Sequence, residues 1–328
     1  MFRIRAGVLV LTGLLVFTAT SMAAAQASRT IRLPHCCAAG SHFDVAATKF
    51  AELLEQKTNG RLKVRVFPGG QLGQETEVIQ QVQAGTIEMT IIGHDPLAQF
   101  APITTLLSMP YLLRDHDQAF RVLEGPVGKE IERALREKRL RVLGWGNNGA
   151  RVYTNNRRPI EKPEDLRGLK IRSPQSPVNL AITEALGGIP VAMPYGEVYT
   201  ALQQKTIDGQ ENAVINIYPA KLHEVQRYMS MTHHLLSFVV LVVNDNFFNS
   251  LPADIQKAMQ EAADEALAFQ RQYVVGLTNE LVAKMQEHGV KVNWPELEPF
   301  RKATRRIHEE YIGKSFSREL YELVVQAD

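Results

Sequence analysis

The chain has 328 residues, with 37 Lys and Arg against 35 Asp and Glu, a formal charge of +2. That near-neutral balance excludes nucleic acid as the expected partner, because such binding rests on excess Lys and Arg. The length is too great for one modest core and predicts two lobes. With only Cys36 and Cys37 available, packing must hold them together.

The N-terminus points to a compartment. Arg3 and Arg5 precede an apolar stretch over 6–19, and Ala25-Gln26-Ala27 has the small-x-small pattern that signal peptidase cuts. This is the anatomy of a cleavable secretory signal over 1–27, with the mature chain starting near Ser28 in the periplasm. A membrane anchor is the weaker reading, since the apolar run is shorter than the ~20 residues a spanning helix needs. Removing 1–27 takes away two arginines and no acid, leaving 35 basic against 35 acidic residues.

Past Ser28 strands and helices alternate. Ile31, Arg32 and Leu33 form a short strand, and Phe43, Ala46, Ala47, Phe50, Leu53 and Leu54 recur at helical spacing until Asn59-Gly60. Leu62, Val64 and Val66 alternate with Lys63 and Arg65, a half-buried strand ended by Pro68-Gly69-Gly70. A helix over 75–84 closed by Gly85 and a strand over 87–92 complete a βαβαβ opening, which implies a parallel sheet covered by helices.

Similar units resume after Gly149. Strands are expected over 152–154, 169–172, 189–193 and 207–209, with a helix capped by Ser176-Pro177 and ended by Gly187-Gly188. The apolar strand over 235–243 is long enough to return the chain to the first lobe. From 252 to 288 there is no proline after the first residue and only Gly276, so one helix about 55 Å long is expected at ~1.5 Å per residue. The expectation is an α/β fold with lobe I over 28–148 and 237–276 and lobe II over 149–236 and 277–328. The 252–288 helix braces both. Two crossings near 149 and 237 permit closure about a cleft.

Enzyme signatures are sparse. His223-Glu224 lacks the second histidine of a zinc protease, and Gly144-Trp145-Gly146 lacks the third spaced glycine of a dinucleotide loop. His35, Cys36, Cys37 and His42 have no recognised zinc spacing, and neighbouring cysteines rarely meet disulfide geometry. Buried free thiols are the reading favoured, so neither metal nor cofactor is expected. What remains is polar residues at strand ends: Arg151, Arg172 and Asn212. Ligands in open α/β sheets bind just beyond carboxyl strand ends. Two guanidiniums and an amide there can grip a carboxylate through paired, charge-assisted hydrogen bonds. Position alone leaves equal weight on local pairing with an acid such as Glu164 or Asp165.

Several ordered motifs resemble one known family. They are Lys57-Thr58-Asn59-Gly60-Arg61, Phe67-Pro68-Gly69-Gly70-Gln71-Leu72-Gly73 and Glu164-Asp165-Leu166-Arg167-Gly168-Leu169-Lys170-Ile171-Arg172. Pro194-Tyr195-Gly196-Glu197-Val198-Tyr199-Thr200-Ala201-Leu202-Gln203 and Asp208-Gly209-Gln210-Glu211-Asn212 follow. Over nearly the whole mature chain they are similar to solute-binding proteins of tripartite ATP-independent periplasmic (TRAP) transporters. The resemblance implies two α/β lobes with a long bracing helix, a small organic acid as ligand and a membrane permease, driven by an ion gradient, as partner. It implies Arg172 as main carboxylate anchor, assisted by Arg151 and Asn212, with Tyr195 against the ligand and Glu75 reaching it from the first lobe. His35, Cys36 and His42 lie where the family places variable selectivity residues. Asn148, Trp145 and His94 are further strand-end candidates. The rival from another class is a periplasmic enzyme acting on a small acid through His35, His42 or the two thiols.

Overall fold

The computed structural model describes residues 28–327. The signal sequence expected over 1–27 lies outside them. In chain order the strands and helices are β1 (Arg29–Pro34), α1 (His42–Lys57), β2 (Leu62–Phe67), α2 (Glu75–Ala84), β3 (Met89–Gly93), α3 (His116–Glu124), α4 (Pro126–Glu137) and β4 (Leu140–Asn155). Then come β5 (Lys170–Ser173), α5 (Pro177–Ala185), β6 (Ile189–Ala192), α6 (Val198–Gln203), β7 (Gly209–Ala213), α7 (Val214–Ile217), β8 (Tyr228–Ser230) and β9 (Leu236–Asn244). The chain finishes with α8 (Asp245–Ser250), α9 (Ala253–Tyr273), α10 (Leu277–Glu287), β10 (Lys291–Asn293), α11 (Glu298–Tyr311) and α12 (Arg318–Val325).

Lobe I follows from its opening pattern. The Oγ of Ser41 accepts from the Asp44 amide to start α1, whose Phe43, Ala46, Ala47, Phe50 and Leu54 are buried. This helix carries the chain from β1 to β2, which pair in parallel. The neighbouring β3, buried at every position, is tied to β1 where Thr90 Oγ1 donates to the Pro34 carbonyl at 2.9 Å.

The 16-residue β4 serves both lobes. Its first part pairs antiparallel with β9 from Leu140 opposite Asn244 to Ala150 opposite Leu236. Its last part, Arg151 to Asn155, pairs with β7, and Tyr153 to Asn155 also pair with β8. Lobe II has the strand order β10-β8-β4-β7-β5-β6, and β5 runs parallel to both β6 and β7. Around Ala150 and Arg151, β4 changes its antiparallel partner from β9 to β7.

The bracing helix expected to run unbroken over 252–288 is instead two helices. Gly276 adopts a left-handed φ of 76° between α9 and α10, which an α-helix cannot accommodate. The break lets each helix bury its own face. Ile255, Met259, Ala262, Ala263 and Leu267 of α9 join the lobe I core with Phe43 and Phe50, whereas Leu281, Val282 and Met285 of α10 join a lobe II core with Val198 and Leu202. The C-terminal segment also departs from its expected place on lobe II alone. Helix α11 packs on α5, but α12 reaches α4 in lobe I, where Gln118 Nε2 donates to the Ala327 carbonyl at 2.7 Å.

Candidate functional site

Where the lobes meet, a small cavity of about 30 Å³ is lined by residues from both. Lobe I supplies Cys36, Cys37 and Phe43 after β1, Glu75 at the start of α2, and Gly93 and Asp95 at the end of β3. Strand β4 supplies Asn148 and Arg151. Lobe II supplies Arg172 and Pro174 from β5, Tyr195 after β6, and Asn212 and Asn216 around the end of β7. The parallel strands therefore point their carboxyl ends at one space, as the topology requires. A larger groove lies on the surface of lobe II between Arg157, His223 and His288, where Arg157 is already paired with Asp208 at 2.8 Å.

Arg172 is the group with charge to offer. It is 2% exposed, and its Nε donates to the Met193 carbonyl at 2.9 Å. Among the described residues no acceptor takes its two terminal nitrogens. Its guanidinium lies 5.9 Å from the centre of the Tyr195 ring, whose hydroxyl donates to the Asn216 carbonyl at 2.8 Å. Burial, and after it the neighbouring charge of Arg151, makes the Arg172 proton easier to lose than usual. A buried cation in that condition is stabilised by any anion that arrives.

Arg151 is different. Its Nε donates to Glu211 Oε2, and one terminal nitrogen donates to Glu211 Oε1 at 3.0 Å and to the Glu211 carbonyl at 2.9 Å. The other lies 3.6 Å from Asp95 Oδ2 and 3.4 Å from Asn212 Oδ1. Local pairing does occur here, with Glu211 across the β4–β7 ladder instead of Glu164 or Asp165. Burial works against both charges, yet the pair overcomes it: Arg151 holds its proton more firmly than usual and the Glu211 carboxyl is lowered to about 2. The expected twin-arginine pincer is thus a single free arm, Arg172, beside a neutralised one. His234 completes the buried network, its Nε2 3.3 Å from Glu211 Oε2 and its ring stacked on Tyr153.

The amides position one another. Asn216 Nδ2 donates to Asn148 Oδ1 at 2.9 Å and to Asn212 Oδ1 at 3.0 Å, and Asn148 Nδ2 donates to Ser237 Oγ at 2.9 Å. Asn212 Oδ1 also accepts from the Ala213 amide at 2.9 Å, and among the described residues nothing accepts from its Nδ2. Asn212 therefore presents a donor on the same wall as Arg172. Glu75 Oε1 accepts from the Gly93 amide at 2.8 Å, while burial, against that hydrogen bond, pushes its carboxyl up.

Six of the seven residues expected at the site line the cavity; His35 does not. Its ring lies under Phe43 with Nε2 3.2 Å from Asp44 Oδ1, fully buried, because β1 ends by turning Cys36 and Cys37 inward instead. His42 is also withdrawn from the cavity lining: its Nε2 donates to Asn148 Oδ1 at 3.0 Å and burial lowers it to about 4. Trp145 donates towards Glu132 and His94 sits 2.9 Å from Ser108 Oγ, both structural contacts. The two cysteines are free, with Sγ atoms 3.8 Å apart. Their contact, then burial, raises the Cys36 thiol. Asp95, Asn216 and Phe43 were missed in sequence. Asp95 had a usable signal, since it follows β3 at a carboxyl strand end. Among the described residues no group of three or more His, Cys, Asp or Glu is arranged around a metal position.

The cleft is drawn shut by hydrogen bonds between lobes. Thr76 Oγ1 donates to Gln175 Oε1 at 3.0 Å, the Gly196 amide donates to Gln74 Oε1 at 3.1 Å, and Asn179 Nδ2 donates to Asp95 Oδ1 at 3.0 Å. A two-lobed α/β protein with a buried, unclaimed arginine facing an interlobe cavity is a solute-binding protein. The comparisons place it within that class. Residues 34–314 match the family described as bacterial extracellular solute-binding protein, family 7, and the chain belongs to that family, the binding components of TRAP transporters. The 2,3-diketo-L-gulonate-binding periplasmic protein YiaO of Escherichia coli is 38% identical over 284 residues, 87% of this chain and 85% of its own length. The sialic acid-binding periplasmic protein SiaP of Vibrio cholerae is 30% identical, covering 90% of this chain and 92% of its own. A TRAP periplasmic solute-binding protein of Roseobacter denitrificans with bound β-D-glucuronate superposes with a TM-score of 0.89 at 32% identity, covering 92% of this chain and 100% of that one. Members of this family work with membrane permease subunits, and the relatives named here are periplasmic.

Proposed function

We propose that this chain captures a small hydroxylated organic acid between its lobes in the periplasm and delivers it to a TRAP permease for ion-gradient-driven uptake. The observation that carries the reading is Arg172, buried in an interlobe cavity with its terminal nitrogens unclaimed by any described residue. The ligand carboxylate takes those nitrogens, with Asn212 Nδ2 beside them. The ring of Tyr195 closes over the pair, and Glu75 and Asp95 meet the far end from lobe I. Ligand favours closure to the extent that it binds the closed arrangement more tightly than the open one. The acids bound by relatives, glucuronate and galactonate among them, support a sugar acid.

The reading is of a carrier without turnover. A His42 lowered to about 4 and a Cys36 thiol pushed up are poorly suited to act as base or nucleophile at neutral pH. Residues 1–27 act as a signal removed near Ser28. Lobe I comprises 28–148 with 237–273, and lobe II comprises 149–236 with 277–311. A thermal-shift screen of organic acids, followed by mass spectrometry of the recovered ligand, tests this. Stabilisation by an acid recovered unchanged supports it. Chemical conversion of that acid by the pure protein, or indifference to every acid, refutes it.

A further inference from the structure

We propose that Glu75 and Asp95 make the lobe I end of the cavity a selector for carboxylate number, admitting the hydroxylated tail of a monocarboxylate and rejecting a dicarboxylate. This rests on the reading of Arg172 as the anchor. Two guanidiniums line the cavity, but Arg151 is divided between Glu211, at 3.0 Å, and Asp95, at 3.6 Å. Arg172 alone among the described cations of the lining is left for a ligand. The lobe I wall holds acids. Glu75 Oε1 is fixed by the Gly93 amide at 2.8 Å, and among the described residues no donor reaches its Oε2. Asp95 is held by Asn179 Nδ2 at 3.0 Å and approached by Ser237 Oγ at 3.4 Å.

Gly93 lets both acids face one space. A Cβ there would lie 3.2 Å from Glu75 Oε1 and 3.9 Å from Asp95 Oδ2. The rest of the lobe I wall is uncharged, formed by Cys36, Cys37 and Phe43. A second ligand carboxylate entering this end meets two acids and no free cation, a like-charge encounter in a site from which water is largely displaced. A hydroxyl group entering the same end donates to Glu75 Oε2 and loses nothing.

Matched acids test the idea: D-gluconate with D-glucarate, and D-galactonate with galactarate, each pair differing by a terminal hydroxymethyl against a carboxylate. Titration calorimetry of the protein at pH 8 is expected to show at least one aldonate binding, with its aldarate at least tenfold weaker. In Glu75→Gln the ratio should shrink by at least threefold. An aldarate within tenfold of its aldonate overturns the proposal, and that wild-type comparison stands even if the variant misfolds. So does an unchanged ratio in a Glu75→Gln protein that melts cooperatively. Arg172→Ala separates the two levels. If it abolishes binding while aldonate and aldarate bind wild type alike, only the selector fails; if it binds the aldonate as wild type does, the anchor fails too.

Discussion

Glu211→Gln isolates the buried ion pair behind the site. The side chain is 1% exposed and keeps its shape on substitution, so the loss is the charge that balances Arg151. Breaking a buried pair by neutralising one partner costs about 3–5 kcal/mol, because the other charge stays buried. The electrostatic balance of the pair is of the same order. A carboxyl lowered from 4.5 to about 2 corresponds to about 3 kcal/mol. At roughly 2–4 °C per kcal/mol for large chains, the melting temperature at pH 7 should fall by about 6–20 °C. The folded-state value lies below the unfolded one, so this stability is complete above the ordinary glutamate range. It is lost as pH falls through about 2. Calorimetric scans from pH 7 downwards should therefore show the gap between wild type and variant narrowing below about pH 4.5. A pH 7 loss under 2 °C, or a gap that widens in acid, would refute the account of Arg151 as a neutralised residue.

Three further outcomes follow from particular contacts. Replacing both partners, as Arg151→Met with Glu211→Leu, should cost less stability than Glu211→Gln alone, since the Arg151 charge leaves with its main partner and Asp95, which loses only the 3.6 Å contact, keeps its hydrogen bond from Asn179; denaturant titration of the three proteins decides. Gly276→Ala should destabilise by about 1–2 kcal/mol through its left-handed backbone, with no steric clash because nothing lies within 4 Å of the added Cβ. Unchanged stability there would contradict the helix break. Gln175→Ala removes the Thr76 hydrogen bond across the cleft, at 3.0 Å, and should weaken ligand binding about two- to tenfold from a net ~0.5–1.5 kcal/mol. Scattering should show a more open unliganded form, and an unaltered radius with unaltered affinity would remove Gln175 from the closure.

Local signals carried much of the architecture. Alternation in Leu62, Val64 and Val66 placed β2, and helix α2 begins at Glu75 and ends at Gly85 as its pattern requires. Gly276 was visible but ambiguous, because a single glycine is tolerated within helices and only tertiary packing decides whether it turns left-handed. Ser176 stands at the start of α5 as read, yet its hydroxyl makes no capping bond. Arg172 was found from its place at a strand end and its family motif. The fate of Arg151 was not legible, because its partner lies 60 residues away and faces it only once β4 and β7 pair. His35 failed for the complementary reason. A turn at the end of β1 sends the next two residues into the cavity, and period-two alternation does not report such a turn.

The anchor is tested most directly by calorimetric titration of the best acid against wild type, Arg172→Lys and Arg172→Ala. Two charge-assisted hydrogen bonds at about 1.5–3 kcal/mol each predict at least a 100-fold loss for alanine, with lysine between the extremes because a point charge cannot make the planar fork. An alanine variant that folds and binds the acid within threefold of wild type would contradict the account.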